Sequence, residues 1–517
     1  MKLQFLVFKS LNLHLFFDIM ISKFTKGEFF MGVIFTFIVG LLAAFEPITD
    51  NDYFWHVVIG RWIDNHKAIP NVPLFSWWGL EQGYSWTSHE WLTEWIMYKA
   101  GDIGCIAIML GIFIILYYLM YKMLKIDFKK LFDVKLLYLL LMTVFFKVTG
   151  PRPYIISLVF FAYLIYVLFS YLDKDKKIFD KLIWTLPIMQ ILWANLHGGS
   201  SSMPYIFILG VLLTDFFVKL FKINDQRWAG FKLDKSQIKT LLINLGLIAI
   251  ATCINPVGYK LLLYPFTNMA DTNMIDYILE WQSPSFHGLL GIYIFVMVAF
   301  PVFNMIVTKK NYKTYEIAIF ALLFYMALKS QRFIGMFGIY STWMIGKYLF
   351  IDKEFYDTIR KSFKKFEKLI TYGFETLLVL VVVFTAYIQI NKFTMIVDND
   401  GYYSDGAIEA VINANPKRMY NDFGQGGYLL YKLNKANALD NMNIFIYGLG
   451  DVFSNNILID CTKLYKLQED PEKLIAKYNF DLMLTVSRSP LCHYLTQSPN
   501  WKVLYSDDMN YVFVKNT

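Results

Sequence analysis

Charged side chains are scarce in this chain. They make up 17% of its 517 residues, whereas soluble globular proteins carry about 25%, and this shortage excludes a set of ordinary soluble domains. Hydrophobic residues reach 56% and aromatic residues 18%, and the mean hydropathy is +0.41. Apolar runs close to the ~20 residues that cross a bilayer recur through the first three quarters of the chain. The composition therefore predicts a polytopic α-helical membrane protein.

Cysteine is also rare, and the spacing of the 4 cysteines matches no metal-binding motif. Cys105 and Cys253 lie in apolar runs, which favours a packing role for both. The sequence leaves open whether Cys461 and Cys492 are bridged.

The glycine signatures of nucleotide sites, the P-loop and the Rossmann fingerprint, are absent as well, so no nucleotide cofactor is expected. The net charge of +8 lies mostly in short loops between apolar runs and therefore does not indicate nucleic-acid binding. Residues 1–28 lack the pattern of a signal peptide, because Lys9, His14 and Asp18 interrupt the apolar run. We expect this segment to be cytoplasmic or interfacial.

The apolar runs predict about 11 transmembrane helices within residues 29–390. Their approximate bounds are 29–45, 103–121, 136–149, 154–172, 182–195, 204–221, 240–254, 288–307, 315–328, 333–351 and 369–390. Lysine and arginine are concentrated in alternate loops, for example 122–135 and 222–239. Because cytoplasmic loops carry the excess of positive charge, the alternation predicts a cytoplasmic N-terminus. The same rule places loop 46–102 and residues 391–517 outside, in a multi-pass protein of the plasma membrane.

Residues 391–517 differ in pattern from the rest of the chain. Short segments with strand and helix periodicity replace the long apolar runs, and the last of them reads as a hairpin around Ser506–Asn510. The sequence therefore predicts a small extracytoplasmic α/β domain at the C-terminus.

The first outer loop opens with the cluster "DNDYFWH", residues 50–56. Asp50 and Asp52 are acids at a membrane exit, where unpaired carboxylates are usually functional. They can share a divalent cation, or one can act as a general base while the other orients it. The alternative is that they cap a helix beginning near Tyr53. His56 either binds a ligand or pairs with Asp52.

Other outer segments carry further candidates. In "TSHEW" Glu90 fits a capping box with Thr87, and His89 is a weaker candidate for a site. Arg152 and Arg332 break the rule that outer loops avoid positive charge, and a guanidinium suits a phosphate at the membrane surface. The remaining outer candidates are His197 and Glu280. Arg152, Arg332 and His197 are predicted on the same side of the membrane, and together they indicate an anionic ligand. Snorkelling or local ion pairs would also explain single arginines.

Several motifs occur in an order that resembles bacterial polytopic glycosyltransferases of the GT-C superfamily, which are distantly similar to protein mannosyltransferases and aminoarabinose transferases. The motifs are "DNDYFWHVVIGRWI", "WTSHEWL", "RPYIISL", "ANLHGG", "NPVGYKLLLYPF", "ILEWQSPSF", "QRF" and "YNDFGQGGYLLYKL". The resemblance implies a GT-C fold in which the first outer loop carries a catalytic acid and the donor is a lipid-phosphate-linked sugar.

The resemblance assigns roles to residues of this chain. It makes Asp52 and Asp50 the candidate catalytic acids, or the ligands of Mg²⁺ or Mn²⁺ if a divalent cation is used. It makes Arg152, Arg332 and His197 the candidate ligands of the donor phosphate. One departure concerns "FIYGLGD", residues 445–451, where Tyr447 and Leu449 replace the acid and the arginine that members usually carry. Any site that needs that pair is in doubt here.

The leading hypothesis is an inverting glycosyltransferase. It would move a sugar from a polyprenyl-phosphate donor to a hydroxyl of a glycan, lipid or protein on the outer face of the membrane. The alternatives are a transporter or flippase for a lipid-linked glycan, which would carry ionisable residues at mid-membrane, and a non-catalytic assembly or sensor protein.

Overall fold

The fold is seen in a computed structural model. It describes residues 38, 48, 50–125, 150–223, 232–269, 272–307, 312–349, 402–454 and 457–516. The N-terminal segment 1–28, the spans predicted at 136–149 and 369–390, and the span at 29–45 apart from Ile38 lie outside the described residues. The described residues are mostly helical.

In the described range 50–125 there are three helices. They are α1 (Asn51–His66), α2 (Trp77–Glu81) and α3 (Trp91–Leu124). Gly101, with φ 65° and ψ 180°, divides α3 at a kink that a residue with a Cβ would resist. Asp50 is the N-cap of α1, since its side chain accepts a hydrogen bond from the Asp52 backbone N–H.

The helices of the membrane region follow. They are α4 (Pro153–Leu172), α5 (Phe179–Leu182), α6 (Leu186–Leu196), α7 (Met203–Leu220), α8 (Lys235–Thr252), α9 (Lys260–Met269), α10 (Thr272–Tyr277), α11 (Leu289–Val307), α12 (Thr314–Lys329) and α13 (Ile334–Tyr348). Short 3-10 turns, among them Gly198–Ser200, Leu279–Trp281 and Gln331–Phe333, join some of these helices.

The helices of the described ranges support the predicted membrane architecture at a coarse level. Each predicted span inside those ranges coincides with a helix. Within the described residues, four segments are long and apolar enough to cross a membrane: Trp91–Leu124, Pro153–Leu172, Gly198–Leu220 and Leu290–Val307. Their large apolar side chains pack into one hydrophobic cluster that runs through the membrane helices.

The C-terminal region is an α/β unit. Its helices are α14 (Asp405–Ala414), α15 (Gly426–Lys435), α16 (Gly450–Phe453), α17 (Ile457–Lys466), α18 (Pro471–Tyr478) and α19 (Pro490–Gln497), and its strands are β1 (Met419–Tyr420), β2 (Leu482–Val486), β3 (Trp501–Ser506) and β4 (Asn510–Lys515). The sheet order is β1-β2-β4-β3, with β1 parallel to β2 and the other pairs antiparallel. The hairpin predicted around Ser506–Asn510 is confirmed as the β3–β4 pair.

The first outer loop and the C-terminal region share one hydrophobic core. Apolar side chains of α1–α3 cluster with those of residues 402–514. Ser76 and Ile444 form a parallel β-bridge, and Trp77 Nε1 donates to the Met419 carbonyl at 3.0 Å. Cys461 and Cys492 are both buried and free. The C-terminal region is thus packed onto the loop that carries "DNDYFWH".

Candidate functional site

The residues predicted to form a site line one cavity of about 540 Å³. They are Asp50, Asp52, His56, His89, Glu90, Arg152, His197, Glu280 and Arg332. Three of them directly precede or open helices of the bundle, because Glu90 precedes α3, Arg152 precedes α4, and Arg332 lies in the turn that leads into α13. The cavity therefore lies where the amino ends of three helices meet, although the chemical role of each side chain stays a prediction.

Asp50 and Asp52 have different surroundings although only Asn51 separates them. Asp50 Oδ1 accepts the Asp52 backbone N–H at 2.9 Å, as the capping alternative proposes, and burial raises the pKa of its carboxyl. Asp52 has no capping role. Its Oδ1 accepts from Trp55 Nε1 at 3.1 Å, and 30% of its side chain is exposed in the cavity. Asp52 is therefore the member of the pair that is more exposed to the cavity.

Arg152 is surrounded by carboxylates. Its guanidinium lies 3.2 Å from Asp50 Oδ2 and donates hydrogen bonds to Asp52 and Glu280. The extended backbone of Arg152, which precedes Pro153, holds the side chain at the amino end of α4. Burial opposes its charge, but the three carboxylates outweigh burial and raise the pKa of Arg152 well above its usual range. The guanidinium thus organises the acids of the cavity.

Glu90 does not form the predicted capping box with Thr87, and that prediction is wrong. Helix α3 begins at Trp91, and Glu90 makes no side-chain capping bond. Its carboxylate instead lies 3.1 Å from His197 Nε2 and 3.5 Å from His56 Nε2. Burial opposes ionisation, but the hydrogen bond from His197 and the charge of His56 lower the pKa of Glu90.

His56 lies between two carboxylates and not beside Asp52. Its Nδ1 is 3.1 Å from Glu94 Oε1, while its Nε2 faces Glu90. Burial disfavours the charged ring, but the hydrogen bond to Glu94 and the charges of both glutamates raise the pKa of His56. Both ring nitrogens can donate only in the imidazolium form. Sequence reasoning missed Glu94, which is fully buried on α3 and also accepts from Ser88 Oγ at 2.6 Å.

His197 and Arg332 form a second polar group in the cavity. His197 Nδ1 is 2.5 Å from Ser157 Oγ, and burial lowers the pKa of His197 to about 4, which keeps the ring neutral. Arg332 Nη2 lies 3.4 Å from His197 Nε2, and its guanidinium packs over the Trp281 ring at 5.1 Å. No carboxylate of the described residues lies within ion-pair distance of Arg332, in contrast to Arg152.

The C-terminal region contributes residues that the sequence did not suggest. Gly448, Leu449, Gly450 and Asp451 line the cavity, although they belong to the segment where the family resemblance weakens. Burial raises the pKa of the Asp451 carboxyl. The glycines of "GLGD" are the one signal that could have found this segment, because glycine permits close backbone approach.

Two groups of side chains have ligand types suited to a cation. Asp50, Asp52 and Glu280 offer carboxylate oxygens, which Mg²⁺ and Mn²⁺ prefer. His56, Glu90 and Glu94 place one potential ligand atom each within 4.8 Å of one another. The first group carries three carboxylates against one guanidinium, so its formal charge is −2, which favours a divalent cation.

An apolar groove of about 300 Å³ meets the cavity at Arg152. Its walls come mostly from α3 and α4 and include Ile108, Ile112, Ile155 and Val159. Arg152 lines both spaces. A charged cavity and an apolar groove therefore share Arg152 as a wall residue.

No protein-family model matches the chain, and no curated protein matches it by sequence. Among solved structures, it is similar to the archaeal oligosaccharyltransferase AglB from Archaeoglobus fulgidus, in complex with an inhibitory peptide and a dolichol-phosphate. The TM-score is 0.50 and the identity 10%, over 90% of this chain and 70% of that chain. At 10% identity, this likeness shows the fold alone. At the level of fold, the likeness agrees with the resemblance to membrane glycosyltransferases.

Proposed function

We propose that the chain is a membrane glycosyltransferase that takes a sugar from a lipid-phosphate-linked donor. The observation that carries the proposal is the junction at Arg152 between the acidic cavity and the apolar groove. A polyprenyl-phosphate sugar has the same division, with an apolar chain, a charged phosphate and a polar sugar. The chain would lie in the groove and the sugar in the cavity.

The fold likeness supports the same class of reaction. AglB is an oligosaccharyltransferase, and it was solved with a dolichol-phosphate. We carry over only the general class, because fold alone does not determine chemistry. The specific donor proposed here, a polyprenyl phosphate carrying one sugar, comes from the GT-C resemblance of the sequence.

Arg332 is the guanidinium that we assign to the donor phosphate. It has no carboxylate partner among the described residues, and it packs against Trp281 and Tyr154 at 5.1 and 5.9 Å. His197, kept neutral by burial, can donate or accept beside it. Arg152 lines the same cavity, but its charge is already balanced by acids. It therefore contributes chiefly by holding those acids in place.

Asp52 is the base that we assign to the acceptor. It is the more exposed acid of its pair, with 30% of its side chain accessible against 9% for Asp50. In the proposed step Asp52 takes the proton of the acceptor hydroxyl, the acceptor oxygen bonds to sugar C1, and the bond from C1 to the phosphate oxygen breaks. The lipid phosphate leaves with the electron pair while Arg332 stabilises its charge. Attack opposite the leaving group inverts C1.

A divalent cation fits the donor set of the cavity. Asp50, Asp52 and Glu280 would hold it, since three carboxylates with one guanidinium leave a formal charge of −2. Such a cation would stabilise negative charge on the departing phosphate. We propose Mg²⁺ or Mn²⁺ on the chemistry of these oxygens.

The membrane setting of the proposal follows the sequence. About 11 spans with a cytoplasmic N-terminus would put the cavity and residues 391–517 outside the plasma membrane. The acceptor would be a glycan, lipid or protein hydroxyl at that face. The rival transporter reading has less support, because Asp215, the clearest acid inside a span, is paired with Lys219 at 2.6 Å and accepts the Leu233 N–H.

Transfer by the reconstituted protein tests the proposal. Candidate polyprenyl-phosphate sugars would be supplied to proteoliposomes containing the wild type, Asp52→Asn or Arg332→Ala. We expect each variant to lose about 100-fold or more in transfer rate, the usual range for a lost base or charge stabiliser.

Two control variants match these changes outside the cavity. Asp64→Asn alters an acid of α1 that is paired with Lys67 and Lys99, and Arg418→Ala alters an exposed arginine paired with Glu81. Both should transfer at the wild-type rate. Full transfer by Asp52→Asn and Arg332→Ala would contradict the mechanism, and absence of transfer from every lipid-phosphate sugar to the wild type would contradict the function.

A further inference from the structure

A second cavity lies at the opposite end of the helices that form the site. Helices α3, α4 and α13 begin beside Glu90, Arg152 and Arg332 and end around a space of about 430 Å³. α4 has 20 residues, which is about 30 Å at 1.5 Å per residue, the thickness of the hydrocarbon core. The two cavities are therefore separated by about one membrane thickness.

Five aromatic rings line this second cavity, which we call the lysine pocket. Tyr118 and Tyr121 come from α3, Tyr166 from α4, Trp343 from α13, and Phe179 from α5. Such rings are typical of the membrane interface, where an apolar body and a polar edge are both satisfied. The wall is thus suited to a group at headgroup depth.

Two residues that line the lysine pocket, Asp173 and Lys347, belong to an electrically balanced network, which we call the floor of the pocket. The network continues behind the lining residues to Lys313 and Glu316. Lys347 lies 2.6 Å from both Asp173 Oδ2 and Glu316 Oε1, and Lys313 also pairs with Asp173. Two lysines and two acids cancel there. Glu316 is fully buried, so this network anchors the ends of α12 and α13 to the loop after α4.

The rim of the pocket carries the excess of positive charge. Among the described residues that line the pocket, the rim has Lys122, Lys125 and Lys176 against one acid, Asp175, which leaves a formal charge of +2. Lys125 pairs loosely with Asp175 at 3.5 Å. Lys122 lies over the Tyr118 and Tyr121 rings at 5.8 and 6.0 Å, so its ammonium is held at the rim.

We propose that the lysine pocket binds the phosphate group of an anionic membrane lipid. Basic pockets between membrane helices hold such headgroups on the cytoplasmic side, and the lysine-rich loops around this pocket are those that the sequence predicts to be cytoplasmic. A volume of about 430 Å³ is within the range of small-ligand pockets, roughly 300–1,000 Å³. The site is independent of the proposed transferase reaction.

A lipid titration tests this site on the full-length protein, purified in detergent and stripped of lipid. Short-chain phosphatidylglycerol, short-chain phosphatidylcholine and inorganic phosphate are added separately, and binding is followed by native mass spectrometry and by thermal shift. We expect saturable binding of phosphatidylglycerol and weak binding of phosphatidylcholine. If inorganic phosphate binds equally well, the phosphate site stands and its source is a soluble anion. If neither anion binds, the proposal is overturned.

Matched variants localise the binding. Lys122→Gln with Lys125→Gln should weaken phosphatidylglycerol binding by about tenfold or more. Lys177→Gln with Lys181→Gln removes the same charge from exposed positions outside the pocket and should bind as the wild type does. Equal loss in both double variants would show a diffuse charge effect and overturn the site.

A change of opposite sign guards against a folding defect in the first double variant. Asp175→Asn removes the one rim acid of the described residues and raises the formal charge counted there from +2 to +3. Binding of phosphatidylglycerol should therefore tighten. If the lysines only neutralise the negative carboxyl ends of the three helices, phosphatidylglycerol binding by Asp175→Asn should equal that of the wild type. That result would overturn the proposal.

Discussion

The two ends of helices α3, α4 and α13 carry opposite charge. At their amino ends, the cavity holds Asp50, Asp52 and Glu280 around Arg152, and it holds Glu90 beside His56 and His197. At their carboxyl ends, lysines outnumber acids. Both arrangements complement the helix dipole, which favours acids at amino ends and bases at carboxyl ends. The dipole alone, however, does not account for a partly buried guanidinium among acids at the end where anions are already favoured.

The two ends also differ in how completely their charges are paired. The floor of the lysine pocket pairs every charge, with Lys313 and Lys347 against Asp173 and Glu316. The cavity concentrates three carboxylates on Arg152, while no carboxylate of the described residues pairs with Arg332. An excess of acid beside a separate cation is costly, and such costs cluster at functional sites.

Removing the Arg152 guanidinium from the cavity should have the largest effect. Arg152→Gln leaves three acids facing one another at a largely buried position, so we expect a loss of about 3–5 kcal/mol in the free energy of unfolding. Chemical denaturation in detergent measures it. Arg418→Gln, which breaks an exposed pair with Glu81, should cost about 1 kcal/mol or less. Equal costs would show that Arg152 is only another surface arginine.

The cation proposal adds a second arm to that experiment. Mg²⁺ should restore part of the stability of Arg152→Gln, since it can take the place of the guanidinium charge among the carboxylates. It should do nothing for Arg418→Gln. A stability of Arg152→Gln that is independent of Mg²⁺ would argue against a cation site at Asp50, Asp52 and Glu280.

The close contact between the C-terminal region and α1 predicts a moderate effect. A Cβ on Gly448 would lie 2.2 Å from Trp55 Nε1 and 2.8 Å from Asp52 Oδ1. Gly448→Ala should therefore destabilise the protein by about 1–3 kcal/mol and reduce transfer. Gly424 lines the same cavity but has nothing within 4 Å of an added Cβ. Gly424→Ala should be close to the wild type, and a matching loss would exclude a steric cause.

The smallest effect concerns His56 and pH. Because its folded-state pKa is raised by Glu94 and Glu90 against the effect of burial, the stability it contributes is fully present below about pH 6.5. That contribution is lost as pH rises through the raised pKa. The stability difference between wild type and His56→Gln should therefore shrink with rising pH. A stability difference between wild type and His56→Gln that stays constant with pH would contradict a protonated His56 ring.

Much of the cavity could be predicted residue by residue. The positive-inside rule put the segments bearing Asp52, Arg152, His197 and Arg332 on one face, and all four line one space. The failures were local. The pattern of Thr87 and Glu90 has the form of a capping box, but His56 and His197 attract the Glu90 carboxylate more strongly than a backbone N–H does. Glu94 went unnoticed because nothing in its neighbourhood along the chain marks it as buried.

The amino-acid sequence by itself determined the helical membrane architecture, since apolar runs of sufficient length have few other stable states in a bilayer. It also marked the residues of the cavity, because charge is rare enough in this chain to be informative. Only the tertiary structure decided which charges are balanced. Arg152 faces three acids and Arg332 faces none of the described ones, and such pairing depends on a few ångströms between segments far apart in the chain.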